Sequence, residues 1–275
     1  MQENKSGKNP IKIIIVLGLV AVLWLARTPA SYPEARAQSD EYSIYLPLIL
    51  KEAAARPEES IMILEPAPGS RVTSPIHVSG VADPTFEQNL VVRVLTADGT
   101  LVTQAPTTIQ ADIGQRGPFA LDLPTTLASE QNIFIQVFAD SPRDGGITHL
   151  SSVGVIFTPT GPENILTRDP YPEQISIIQP QTGDTVSGGS VHVSGFGLAS
   201  FEQTLLVEVL DENGDVICSE PVMVAAPDLG EPGPFEADID YTLSEAGPGR
   251  IVVRDVSPAF GGTTHLSSVE VSLAP

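Results

Sequence analysis

The sequence predicts an all-β protein: two tandem copies of a seven-stranded sandwich behind an N-terminal export signal. Three observations carry that prediction. The stretch PIHVSGVADPTFEQNLVVRVL (75–95) returns as SVHVSGFGLASFEQTLLVEVL at 190–210. The correspondence then continues to the end of each copy. Gly117-Pro118-Phe119 matches Gly233-Pro234-Phe235, Ser141-Pro142 matches Ser257-Pro258, Gly145-Gly146 matches Gly261-Gly262, and THLSSV at 148–153 recurs letter for letter at 264–269. A period of about 115 residues is far longer than a solenoid unit, so a whole domain is duplicated. Finally, short apolar-alternating runs are broken by turn residues, and no stretch after residue 60 has helical periodicity.

Repeat one spans 61–158 and repeat two 175–275. In the first, strands are predicted near 61–64, 75–81, 89–96, 100–108, 118–123, 132–139 and 149–158. The pairs Asp98-Gly99 and Asn213-Gly214 predict tight type I′ hairpins, which need positive φ at both central residues. Seven strands in roughly 100 residues make an immunoglobulin-like sandwich, here without its disulfide. Cys218 is the sole cysteine, which excludes an intrachain bridge, a CxxC redox pair and a cysteine-based zinc site. Cys218 reads as a half-buried small apolar residue, with an intermolecular bridge as the alternative. Between the copies, residues 159–174 carry Pro159, Pro162, Pro170 and Pro172 and predict an extended, semi-rigid spacer.

Comparing the copies assigns the strand faces. Arg93 becomes Glu208, a reversal that a sandwich core would not tolerate. The opposite parity, Leu90/Val92/Val94 and Leu205/Val207/Val209, is therefore expected inside. Likewise Phe134 and Phe138 become Arg250 and Arg254, which turns Ile135/Val137 and Ile251/Val253 inward. Val91, Leu95, Phe134 and Phe138 are left as an apolar cluster on the outer face of two strands. Such a cluster marks a binding patch or a packing surface for the linker, the 42–50 segment or the other domain.

Ahead of the repeats, Lys5, Lys8 and Lys12 precede fourteen uncharged residues, Ile13–Ala26, and Ala35-Arg36-Ala37 offers a cleavage site. This is the pattern of an export signal over 1–37, with an uncleaved anchor as the other possibility. Residues 38–60 read as a linker; within it YSIYLPLIL (42–50) is apolar enough for an edge strand or an envelope contact. The whole chain has a formal charge of −20. Beyond residue 37, nine basic side chains face 32 acidic ones, for −23. A surface of that sign repels nucleic acid and anionic membrane, so membrane contact is expected only through the N-terminal segment.

Candidate chemistry is sparse. Glu87 and Glu202, each after a phenylalanine at a strand start, are expected to accept backbone N–H bonds from a neighbouring loop, or else to meet a ligand or cation. His77 and His192 alternate with apolar neighbours and should face outward. With His149 and His265 they give each domain only two histidines on distant segments, and a zinc site usually wants three or four ligands. The sequence alone therefore assigns no metal and no cofactor. Asp211-Glu212-Asn213-Gly214-Asp215 lacks the sixth-position glycine and twelfth-position glutamate of a calcium loop and reads as a hairpin turn. No HExxH, GxSxG or P-loop pattern is present, and no enzyme is predicted.

The ordered motifs resemble the immunoglobulin-like domain of bacterial spore-germination proteins. They are an I-x-I-x-x-P-x-x-G opening, V-S-G ahead of Phe-Glu, a Gly hairpin, G-P-F, and a late Ser with a Gly pair, all present twice over 61–275. The resemblance implies an extracellular, non-catalytic module. The late Asp-Gly of the family stands as Asp144-Gly145 in repeat one and is replaced by Phe260-Gly261 in repeat two. The resulting expectation is a secreted or cell-surface module of the bacterial envelope. Its partner would be an envelope or extracellular protein, met by a sheet face or by strand addition at an edge. A polysaccharide is the alternative partner, although the mature chain has no tryptophan to stack on a sugar. The candidate binding residues are Val91, Leu95, Phe134, Phe138, Glu87 and Glu202.

Overall fold

A computed structural model describes residues 56–199 and 201–275. The export signal and the 42–50 segment lie outside them. Repeat one contains β1 (Ile61–Glu65), β2 (Arg71–Val72), β3 (Ile76–Ala82), β4 (Asn89–Thr96), β5 (Leu101–Thr108), β6 (Gly117–Leu123), β7 (Gln131–Asp140) and β8 (Ile147–Phe157). Repeat two contains β9 (Ile175–Gln179), β10 (Thr185–Val186), β11 (Ser190–Gly197), β12 (Thr204–Leu210), β13 (Val216–Met223), β14 (Gly233–Asp240), β15 (Gly247–Val256) and β16 (Thr263–Leu273). Each repeat packs a three-stranded sheet, β1-β3-β6 or β9-β11-β14, on a larger one. The two larger sheets are continuous. Their order is β5-β4-β7-β8-β16-β15-β12-β13, because β8 and β16 pair antiparallel at Leu150↔Leu266 and His149↔Ser267.

The face assignments follow the charge comparison. Leu90, Val92, Val94, Ile135 and Val137 lie in the core of repeat one, and Leu205, Val207, Val209, Ile251 and Val253 in that of repeat two. The repeated glycine of V-S-G has a packing reason. A Cβ on Gly80 would lie 1.9 Å from the Met62 carbonyl oxygen and 2.8 Å from the Phe119 ring. Gly195 is equally tight against Ser176 and Phe235. The G-P-F phenylalanine therefore lies over the V-S-G glycine directly opposite it in the ladder, filling space that the missing side chain leaves.

The hairpins differ from expectation. Gly99 and Gly214 have positive φ, but Asp98 and Asn213 do not. Gly99 N–H bonds to the Thr96 carbonyl and Thr96 N–H to that of Thr100, with a register shift beside the turn. This is a turn closed by one left-handed glycine and a bulge, a geometry that needs only one residue at φ > 0. The Asp211 carboxylate is occupied in its own turn, accepting from the Asn213 and Asp215 N–H groups.

The Pro-rich linker does not stand clear as a spacer. Asn164 pairs with Arg71, Leu166 with Ala67 and Ser70, Arg168 with Leu64 and Tyr171 with Glu59. Prolines that keep a chain extended also keep its remaining backbone groups available to a neighbouring strand. Gly80→Ala is expected to destabilise the protein by about 1–3 kcal/mol. Gly154→Ala, where a Cβ meets nothing closer than 3.8 Å, should stay within about 0.5 kcal/mol. Urea unfolding measured in parallel checks the contrast, and equal costs would count against the close-approach account.

Candidate functional site

The seam between the repeats obeys an internal two-fold relation, and its centre is polar. The docked linker brings Glu173 beside Glu59, its repeat counterpart. Each carboxylate reaches across: Glu59 Oε2 accepts from Gln174 N–H at 2.9 Å, and Glu173 Oε2 from Ser60 N–H at 2.7 Å. The serines of the duplicated THLSSV hold the other oxygens. Ser151 Oγ donates to Glu59 Oε1 at 2.9 Å and Ser267 Oγ to Glu173 Oε1 at 3.1 Å. Both histidines of that motif point to the same spot. His149 Nε2 lies 2.8 Å from Glu59 Oε1 and 3.5 Å from Glu173 Oε1, and His265 Nε2 lies 3.5 Å from both. The two rings meet edge to face at 5.5 Å. Glu59, Glu173 and His265 are buried, and among the described residues these four have ligand atoms that converge as those of a metal site do.

Burial alone would raise the Glu59 carboxyl. The charges of His265 and His149, with hydrogen bonds from His149 and Gln174, outweigh it and hold the group well below the ordinary carboxylate range. For His149 burial acts downward, but the bond to Glu59 and the charges of Glu173, Glu59 and Asp83 raise the ring overall. Tyr171, half-buried beside this centre, is pushed up to about 12, chiefly by loss of solvent around the phenol.

Around the centre lies an apolar collar. Phe138, Leu150, Leu210, Val252 and Leu266 form one buried cluster drawn from both repeats, with Val91 against it. At one side, Phe134 meets Phe260 with ring centroids 5.4 Å apart. At the symmetry-related side, the same two positions hold Arg250 and Asp144, which form a buried ion pair. Arg250 is 0% exposed; its position faces out of the sandwich, as the strand parity requires, yet into the seam. Burial pushes Asp144 upward, but the Gly146 N–H and the Arg250 guanidinium carry it far below the ordinary carboxylate range.

The expected binding patch is thus largely occupied. Phe138 and Leu95 are buried, and Val91 and Phe134 are half-buried; the two domains use this face against each other. Glu87 and Glu202 are exposed and do not anchor a loop. The neighbouring glutamines do. Gln88 Nε2 donates to the carbonyls of Asp112 at 3.1 Å and Gln115 at 2.9 Å, and Gln203 Nε2 to that of Asp228 at 3.2 Å. An amide can donate to a carbonyl and a carboxylate cannot. His77 and His192 do face outward, paired across the ladder with Asp122 and Asp238. The sequence reading missed Glu59 and Glu173 because they sit in apparent spacers. Neither domain holds the histidine pair by itself: His149 and His265 meet only across the seam. The available signal was the identity of THLSSV in both copies, together with a Glu two residues before each opening Ile.

Residues 60–146 and 174–262 match the immunoglobulin-like domain of bacterial spore germination. The chain belongs to that family. Glu59, His149, Glu173 and His265 each lie just outside a matched segment. No curated protein matches. Among solved structures, the titin domains Z1Z2 in complex with telethonin are similar at 12% identity, over 78% of this chain and 96% of that one, with a TM-score of 0.20. Red sea bream transglutaminase is similar at 8% identity, over 78% and 31%, with a TM-score of 0.29. The E. coli chaperone DraB is similar at 12% identity, over 77% and 97%, with a TM-score of 0.21.

Asp144→Asn should cost about 3 kcal/mol, because it leaves Arg250 buried without its main counter-charge. The sign in pH is fixed: a carboxyl depressed by folding stabilises above its unfolded pKa, near 4, and that part is lost as pH falls. Asp144→Asn should therefore flatten the acid limb of a stability–pH curve. In a double-mutant cycle, Phe134→Arg and Phe260→Asp should each destabilise, and the pair should recover about 1 kcal/mol or more by recreating the opposite side's ion pair. Strict additivity in thermal melts would refute that coupling.

Proposed function

We propose that the protein is an exported, non-catalytic module of the bacterial cell envelope that binds an envelope protein through two equivalent apolar tips. The observation that carries this reading is a pair of strained turns. Among the described residues, the only non-glycine positions with positive φ are Glu87, Gln88, Glu202 and Gln203. Each turn exposes a phenylalanine, Phe86 at 57% and Phe201 at 48%. The glutamine that follows ties the turn to a loop bearing a second exposed apolar residue, Ile113 in repeat one and Leu229 in repeat two. A left-handed backbone costs a non-glycine residue about 1–2 kcal/mol, and strain kept in both copies points to a functional turn.

Strand addition at the outer sheet edges is the less favourable route. The edge strands β5 and β13 carry Pro106 and Pro221 at matching places, and a proline has no N–H to offer an incoming strand. The acidic surface favours a basic partner.

Co-sedimentation of the chain with isolated envelopes, intact or protease-stripped, tests the reading. Binding should disappear after protease treatment. Phe86→Ser or Phe201→Ser alone should weaken it modestly, and the two together should abolish it, since two linked sites act through avidity. Binding that survives protease would instead favour a polysaccharide, and binding unaffected by the double substitution would remove the tips from consideration.

A further inference from the structure

We propose that Glu59, His149, Glu173 and His265 form a four-coordinate site for a divalent transition-metal cation of the zinc class, clamped between the two domains. The four donor atoms lie within 4.8 Å of one another. A tetrahedral site with bonds of about 2.0–2.1 Å has donors about 3.4 Å apart along each edge. Three of the four His–Glu edges are 3.5 Å. The fourth, His149 to Glu59, is a direct hydrogen bond of 2.8 Å, which opens by a few tenths of an ångström when the cation replaces its proton.

The nitrogen of His265 supplies an independent sign. Its Nε2 is buried, 3.5 Å from two carboxylates, and makes no hydrogen bond. Buried polar atoms in folded proteins are almost always partnered, and an orphan aimed at a ring of donors asks for a ligand. The charges close as well. Two carboxylates and two neutral imidazoles around a dication give a neutral buried group, which removes the penalty of an unbalanced one. The supporting hydrogen bonds are those a metal site needs. Ser151 and Ser267 orient the two inward Oε1 atoms, while Gln174 and Ser60 N–H groups fix the two Oε2 atoms. Two imidazoles exclude the all-oxygen preference of magnesium and calcium and select zinc, cobalt or nickel. His149, whose side chain is 15% exposed, is the entry.

The site is independent of what the apolar tips bind. Each domain supplies one histidine and the segment just ahead of it one glutamate, so the cation acts as a bolt across the seam. A domain alone has half a site.

The test uses the full-length chain, stripped with EDTA, dialysed and titrated with cobalt and then zinc. One equivalent of cobalt should bind with the intense visible bands of four-coordinate geometry, and zinc should displace it. Zinc should also raise the melting temperature, reversibly with EDTA. Glu173→Gln and His265→Gln should each lose the bands, whereas the surface double substitution His77→Gln/His192→Gln should keep them. Ser151→Ala should bind about 10-fold more weakly. A six-coordinate cobalt spectrum in the unmodified chain, or no saturable binding, overturns the proposal whatever the variants do. Bands that persist in Glu173→Gln and His265→Gln overturn it too, by assigning the metal to the acidic surface.

Discussion

The antiparallel pairing of β8 with β16 is the constraint on which the rest depends. It joins two sandwiches into one continuous sheet and sets the internal two-fold relation between them. Once Leu150 faces Leu266 in that ladder, the histidines and serines on either side must converge, because the two strands carry the same six residues in opposite directions. The linker then completes the arrangement from outside. Its docking on repeat one delivers Glu173 to the place that the symmetry reserves for a partner of Glu59. Burying carboxylates at the middle of a seam is tolerable only when they are matched, and the reciprocal backbone N–H bonds and the two serines do that matching for Glu59 and Glu173.

The sandwich itself was legible because duplication supplies an internal comparison. Where Arg93 stands opposite Glu208 in the alignment of the copies, the core parity can be read without any other sequence. The same comparison was incomplete at Phe134 and Arg250. It placed both outside the sandwich, which is correct, but outside a sandwich is not the same as in water. Arg250 is buried because Asp144 waits for it on another domain, and no periodicity within one repeat carries that information. The centre was hidden for a related reason. Glu59 and Glu173 belong to segments with no strand pattern, and their role exists only after two domains have docked. Turn chemistry was half legible: Gly99 and Gly214 were identified as turn residues, while the loop length that selects one left-handed residue over two depends on the ladder register.

The seam also explains how the protein divides its apolar surface. Residues that would make a sticky sheet face, Phe138 and Leu266 among them, are consumed inside the chain. Phe86 with Ile113 and Phe201 with Leu229 stay exposed on turns and loops at matching places in the two repeats, while Leu101, Ile178, Val216 and Met223 are exposed singly on strands. A rigid pair of domains fixes the spacing and orientation of those two tips relative to each other. Freely jointed domains would have to pay that ordering entropy on binding.

A difference between the two halves of the seam has a consequence for self-recognition. One side is Phe134 on Phe260 and the other is Arg250 on Asp144. Suppose two molecules tried to associate through like copies. First repeats would seal an aromatic ring over the carboxylate of Asp144 on both sides. Second repeats would bury two guanidinium groups against Phe260 without a counter-anion. Each mismatched assembly desolvates two charges for nothing, at several kcal/mol apiece. The two surfaces therefore have a lock-and-key polarity, which favours each copy pairing with its sibling over pairing with its like.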